Sequence, residues 1–386
     1  MPQFPSSLRS KLPKAGTTIF TVMSALASEH NAINLSQGFP DFLCHPDLME
    51  LVDRFVREGK NQYAPMPGLL ALREIIAEKV FDLYGAQFSP ESEITITPGG
   101  TEAIYAAITA TVHEGDEVIV FEPAYDSYVP AIELSRGIPV YIELQAPDYR
   151  IPWEQVKKRV NQKTRMIMIN TPHNPCGTTL SAEDMRSLEH LVNGTDIIVL
   201  SDEVYEHIIF DNEEHQSVLR FPKLAERSFV VFSFGKTYHN TGWKMGYCLA
   251  PEILMREFRR VHQFIVFSSN TPYQYAFAEL MKRKELYLGL PEFYQQKRDK
   301  FNSLAALTKF KFKPSSGSYF QLLSYGHLTE DDDKDFAVRL TKDFGVASVP
   351  MSAFYHRAID NKMLRFCFAK KNETIEAAME KLIRFA

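Results

Sequence analysis

The sequence has little cysteine and no concentration of charge. Of its 386 residues only four are cysteine, Cys44, Cys176, Cys248 and Cys367. They lie far apart and form no CxxC pair, which argues against a zinc site and a dense disulfide framework and favours a reducing compartment. No apolar run approaches the roughly 18 residues of a membrane span. The N-terminal stretch MPQFPSSLRSKLPKAG is positively charged but lacks the continuous apolar core of a signal peptide. The expectation is a cytoplasmic protein. The net charge of −5 is spread along the chain, with neither a basic stripe for nucleic acid nor a polybasic run for a lipid surface. Internal repeats, low-complexity tracts and obvious linkers are also lacking.

What is present is a large apolar inventory. Hydrophobic residues make up 45% of the chain and charged ones 24%, with 28 Phe and 17 Tyr, the balance of a globular protein able to bury a sizeable core. The length exceeds what one core usually serves, so two or three domains are expected. From Glu93 to Leu144, short β-rich runs alternate with helical ones: EITIT, a helix from Gly100 closed at Gly115-Asp116, EVIVF, DSYVPAIELSRG and IPVYIEL. The rhythm resumes with TRMIMIN (164–170), DIIVLSDE (196–203), SFVVFSF (228–234) and KMGYCLA (244–250). Near-continuous apolar strands separated by helices predict an α/β fold with a mainly parallel sheet covered on both faces. After the helical YQYAFAELMKRKE the character changes near residue 285. A long charged helix (286–307), the segment FKPSSGSYFQLLSY, the helix DKDFAVRLTKDFG, the strands VASVP and KMLRFCFA, and a last helix from Thr374 predict a smaller α+β unit.

Ligands of parallel sheets bind beyond the carboxyl ends of the strands. Four such ends carry unusual polar groups: Gly99-Gly100-Thr101, Asn170 to Gly177 (NTPHNPCG), Asp202 with Tyr205, and Ser233 with Lys236. Each also has an ordinary reading, as a tight turn, a proline-broken loop, a helix N-cap or a solvated lysine. Glycines between strand and helix let backbone N–H groups approach an anion. Asp202, ending a very apolar strand, needs water or a cationic partner. Together the four ends offer a phosphate cradle, a donor to a phenolic oxygen, a carboxylate for a ring nitrogen and a primary amine. That set fits pyridoxal phosphate.

The motifs INLSQGFPDF, NQYAPMPGLLALR, TPGGTEA, FEPAYDSY, NTPHNPCG, SDEVYEH, SFGKTYHNTGWKMGY, GVASVPMSAFY and LRFCFA occur in this order over nearly the whole chain. In them the sequence resembles the fold-type I pyridoxal-phosphate aminotransferases of the aspartate and kynurenine branch. The resemblance implies a seven-stranded, mainly parallel sheet with helices on both faces and a smaller α+β domain. It divides the chain into an N-terminal arm (1–45), a cofactor-binding domain (46–285) and a C-terminal domain (286–386). It also implies a homodimer with shared active sites. Lys236 would be the Schiff-base lysine and proton carrier, Asp202 the partner of the ring nitrogen, and Asn174 with Tyr205 the donors to the phenolic oxygen. Tyr125 would stack on the ring. Gly100, Thr101, Ser233 and Lys244 would bind the phosphate, and Tyr63 would reach the phosphate of the neighbouring subunit. Arg365 and the backbone at Gly38 would hold the substrate carboxylate, with Phe20 and Phe267 lining an apolar pocket.

No metal is implied. The activity implied is transamination between a 2-oxo acid and an amino acid with an apolar or sulfur-containing side chain, methionine foremost, with aromatic amino acids and histidine in the same class. The alternatives are β-elimination from cysteine conjugates, kynurenine transamination, and a non-catalytic cofactor-binding regulator. Two positions depart from the family's phosphate pattern. Gly235 stands where relatives usually carry a second serine, and Lys244 where they carry arginine. Loss of a hydroxyl and of a bidentate fork lowers the expected hold on the phosphate.

Overall fold

The computed structural model describes residues 7–385, so the first six residues of the expected arm lie outside the described part. Strand β1 (Ile33–Asn34) is followed by β2 (Ile94–Thr97), β3 (Glu117–Glu122), β4 (Ile138–Glu143), β5 (Thr164–Asn170), β6 (Ile198–Asp202), β7 (Ser228–Ser233) and β8 (Gly246–Leu249). The last seven form one sheet in the order β2-β8-β7-β6-β5-β3-β4. All its pairings are parallel except those of β8, which runs antiparallel to both β2 and β7. Six parallel strands, β2 to β7, therefore end on one edge, where β8 begins. The segment expected as a strand over 244–250 is shorter, because Lys244 takes a left-handed conformation (φ 53°, ψ 54°) that turns the chain into β8.

Successive side chains along these strands enter opposite faces, and both faces are buried. Ile119, Phe121, Ile167, Ile169, Val199, Val230 and Phe232 join one core. Val118, Val120, Met166, Met168, Leu200, Phe229 and Val231 join the other. This two-sided burial is why the strands read as continuous apolar runs. Helices 70–84, 182–192 and 271–280 cover the first face, and helices 100–111, 128–134 and 252–265 the second.

A third core gathers the rest of the chain. Helices 290–305, 333–344 and 372–384 pack around β9 (Phe320–Ser324), β10 (Val346–Ala347), β11 (Val349–Pro350) and β12 (Met363–Cys367). Strand β12 is the middle of an antiparallel trio with β9 and β11, and β10 pairs with β1. Met23 and Leu35 from the N-terminal segment and Tyr205, Ile208 and Phe210 from beyond β6 are buried in this same core. Two expectations need correction. The helix expected over 286–307 is two helices, Glu285–Leu288 and Leu290–Ala305, because Pro291 sits in the first turn of the second and its ring cannot continue a preceding helix. The stretch VASVP is two short strands in different sheets, breaking at Ser348.

Candidate active site

The strand ends converge on a cavity of about 250 Å³ lined by residues from both sheet systems, among them Gly38, Gly100, Tyr125, Asp202, Lys236 and Arg365. At one end is an anion cradle. Gly99 takes φ 86° as the cap of helix 100–111, whose first residue is Gly100. Thr101, Ser233, Thr241 and Lys244 line the same cavity. The Lys244 ammonium nitrogen lies 3.5 Å from where a Cβ on Gly99 would stand. Lysine and helix N-terminus thus both favour negative charge here. Gly246, the first residue of β8, is wedged between Thr97 and Ser233. A Cβ there would lie 2.6 Å from the Phe232 carbonyl oxygen and 3.1 Å from the Gly100 nitrogen, so the cradle requires this glycine.

Gly235 now has a local reason. A Cβ at this position would lie 3.0 Å from the Thr241 Cα. A side chain at this position would press on the 241 backbone, and Thr241 itself lines the cavity.

Across the middle lie the acid and the amine. Asp202 ends β6 and is buried. Its Oδ2 accepts from the Tyr128 hydroxyl at 2.5 Å, and its backbone carbonyl accepts from Asn170 Nδ2 at 2.8 Å. Burial pushes the carboxyl up to about 6, against the hydrogen bonds from Tyr128 and Val204 and the charge of Lys236. Lys236, in the turn after β7, opens on the cavity. Its Nζ donates to the Tyr319 hydroxyl at 3.0 Å and to the Gly38 carbonyl at 3.3 Å. Burial pulls this amine down to about 8; Lys244 and Arg365 act in the same direction, Cys367 and Asp202 against it. The site therefore holds an amine that titrates near pH 8 and an acid that titrates near pH 6.

At the other end Arg365, 1% exposed on β12, sits in an aromatic cage. Its guanidinium carbon lies 3.9 Å from the Phe320 ring centre and 5.1 Å from those of Phe20 and Phe354. Nη1 donates to Asn174 Oδ1 at 2.7 Å and Nη2 to the Ser36 carbonyl at 2.9 Å. Nε has no partner among the described residues. An unpartnered donor on a buried cation suits a carboxylate. Burial lowers this guanidinium to about 10, which leaves it charged at neutral pH.

Of the expected residues, Phe20, Gly38, Gly100, Thr101, Tyr125, Asn174, Asp202, Tyr205, Ser233, Lys236, Lys244 and Arg365 share this cavity. Gly38 contributes a carbonyl to Lys236 and Tyr319. Two expected residues stand elsewhere. Tyr63 is 81% exposed and Phe267 47%, and they pack edge to face with ring centres 5.3 Å apart. Phe267 does not line this chain's cavity, and it adopts φ 65° in the bend after helix 252–265. Sequence reasoning missed Tyr128, Thr241, Gly246, Tyr319, Phe320 and Phe354. Tyr128, three residues after Tyr125, was open to the strand-end rule; the others meet the site only through packing.

The chain belongs to the aminotransferase class I and II family, whose model matches residues 30–382. It is 50% identical over 375 residues to the methionine aminotransferase of Escherichia coli, covering 97% of each chain. A solved Escherichia coli structure described as having a methionine aminotransferase function superposes with a TM-score of 0.97, over 98% of this chain and 100% of that one at 50% identity. Kynurenine–oxoglutarate transaminase 1 of Homo sapiens is 32% identical, with 92% of this chain and 93% of the relative covered.

Proposed function

We propose that this chain transfers the amino group of an amino acid with an apolar or sulfur-containing side chain, methionine foremost, to a 2-oxo acid, with pyridoxal 5′-phosphate as its cofactor. The observation that carries the reading is one cavity holding a near-neutral lysine, a buried carboxylate, an anion cradle and a caged guanidinium. The donor set fits the cofactor group by group. Gly100, Thr101, Ser233, Thr241 and Lys244 would hold the phosphate, Asn174 and Tyr205 the phenolic oxygen, Asp202 the ring nitrogen, and Tyr125 one ring face. When bound, the cofactor supplies a carbonyl for amine exchange and a ring that takes up the electrons of a broken Cα–H bond.

The chain's own residues do the rest. Arg365 would take the substrate carboxylate through its guanidinium; with charge-assisted bonds worth roughly 1.5–3 kcal/mol each, it selects α-carboxylates and fixes the Cα–H direction. Lys236 Nζ would be the base that takes the α-proton and the acid that returns it to the cofactor side. Asp202 would hold the proton on the cofactor's ring nitrogen. Phe20, Phe320 and Phe354 exclude water from the carboxylate site. The identity of the Escherichia coli relative supports methionine as donor, and the kynurenine relative supports aromatic amino acids as a neighbouring class.

We further infer a homodimer, with the exposed Tyr63–Phe267 pair meeting the neighbouring subunit's site, and domains divided at 46–285 and 286–386 with the arm before them. The four cysteines are free thiols, which supports the cytoplasm. No helix among the described residues is long and apolar enough to cross a membrane. The test is to load the purified protein with pyridoxal phosphate and follow its visible band with amino acids. Loss of the band with methionine and recovery with a 2-oxo acid is expected. An unchanged band, or pyruvate and free thiol released from cysteine conjugates without amino transfer, would overturn the reading.

A further inference from the structure

Tyr128 opens helix 128–134, three residues beyond Tyr125, and is 4% exposed. Its hydroxyl donates to Asp202 Oδ2 at 2.5 Å. The other carboxylate oxygen accepts only a 3.3 Å contact from the Val204 backbone. Among the described residues, Tyr128 is therefore the one side chain that donates to this carboxylate. Its ring meets the Tyr125 ring edge to face, with centres 5.7 Å apart and planes at 76°.

Beside Tyr128 is a small space of about 20 Å³ lined in part by Asn170, His173 and Met168, large enough for one water. Asn170 also faces the site: its Nδ2 holds the Asp202 carbonyl, and its Oδ1 accepts from the Asn174 backbone at 2.7 Å. Tyr128 thus joins a buried frame that sets the acid and the ring-stacking residue together.

We propose that Tyr128 is a positioning residue: its hydroxyl keeps the Asp202 carboxylate ionised and turned toward the ring nitrogen of the cofactor, while its ring backs Tyr125. The inference rests on the pyridoxal-phosphate reading above. A phenol serves here because burial and the adjacent Asp202 hold it well above its ordinary range, so it remains a donor at every working pH. The other titratable groups facing Asp202 are Lys236, Glu203, Tyr125 and Tyr205. Lys236 favours the ionised acid and Glu203 opposes it. Without the Tyr128 donor the balance shifts toward the protonated acid, which can no longer pair with a protonated ring nitrogen.

Tyr128→Phe keeps the ring and removes the donor. The expected results are a cofactor Kd weakened at least about tenfold at pH 6 and much less at pH 8, an acid limb of the kcat profile moved to higher pH, and a nearly unchanged KM for the amino acid. The Kd is read by fluorescence quenching without turnover. Asp202→Asn is the control. If Asp202→Asn binds cofactor and turns over like the parent, the pyridoxal-phosphate reading itself fails. If Asp202→Asn is impaired but Tyr128→Phe matches the parent at both pH values, the inference about Tyr128 is overturned. Equal loss at pH 6 and 8 with a lowered Tm would also overturn it, as the mark of a merely structural tyrosine.

Discussion

Lys79 and Lys236 are both drawn into the protein, both lose basicity to burial, and their surroundings could hardly differ more. Lys79, on helix 70–84, forms an ion pair with Glu206 and donates to the Tyr247 hydroxyl at 3.0 Å. Glu206 also accepts from the Tyr84 hydroxyl. Against the cost of burial, the Lys79 charge holds Glu206 down to about 2. Lys236 has no carboxylate in ion-pair range among the described residues, only the Tyr319 hydroxyl and the Gly38 carbonyl. A buried amine with a carboxylate is held as a cation and fixes structure. One with neutral acceptors is poised near pH 8 and can act as nucleophile and base. The two are linked in the chain, since Glu206 follows Tyr205 and its pair with Lys79 anchors the turn that brings Tyr205 to the cavity.

The sharpest break of this comparison is to remove each amine. Lys236→Ala should lower kcat/KM by at least about 10⁴-fold and leave the circular dichroism and Tm near those of the parent, because no ion pair is broken. Lys79→Met should do the reverse. Glu206 is left buried without its cationic partner, a cost of about 3–5 kcal/mol readable in urea unfolding, while kcat per folded molecule falls far less than in Lys236→Ala.

A pH series sharpens the comparison further. The folded chain binds the Lys236 proton less tightly than the unfolded chain, whose lysine titrates near 10.5. Between about pH 8 and that value the unfolded chain carries more protons, so stability of the cofactor-free protein gains from Lys236 as pH rises, and below about 8 that gain is absent. In the same series the rate of cofactor capture, followed by stopped-flow absorbance, should climb and level off above about pH 8. A rate flat from pH 6 to 10 contradicts a near-neutral Lys236. The smallest effect expected is that of Tyr319→Phe, which removes one neutral partner of Lys236. A hydrogen bond of about 0.5–1.5 kcal/mol corresponds to a drop of roughly two- to twelvefold in kcat, measured at saturating substrate.

Much of this site was legible in the sequence because it is local. Asp202, Asn174, Ser233 and Lys236 each follow an apolar strand within a few residues, and parallel strands carry such ends to one edge. Tyr319, which sets the environment of Lys236, lies 83 residues away, and no local pattern marks it. Gly246 was hidden because its neighbours Gly99 and Gly100 approach only when the antiparallel β8 is inserted between β2 and β7. Phe267, with its left-handed backbone, stands beside Tyr63 and away from this chain's own cavity. The apolar period places strands well, whereas a break such as that between β10 and β11 depends on which partner each two-residue strand finds.

The contrast between the two lysines is tested most directly by chemical trapping. The protein is loaded with pyridoxal phosphate, reduced with borohydride, digested and mapped by mass spectrometry. The account predicts one pyridoxyl-lysine, at Lys236, and none at Lys79 or Lys244. Modification at either of those lysines with Lys236 unmodified would contradict it.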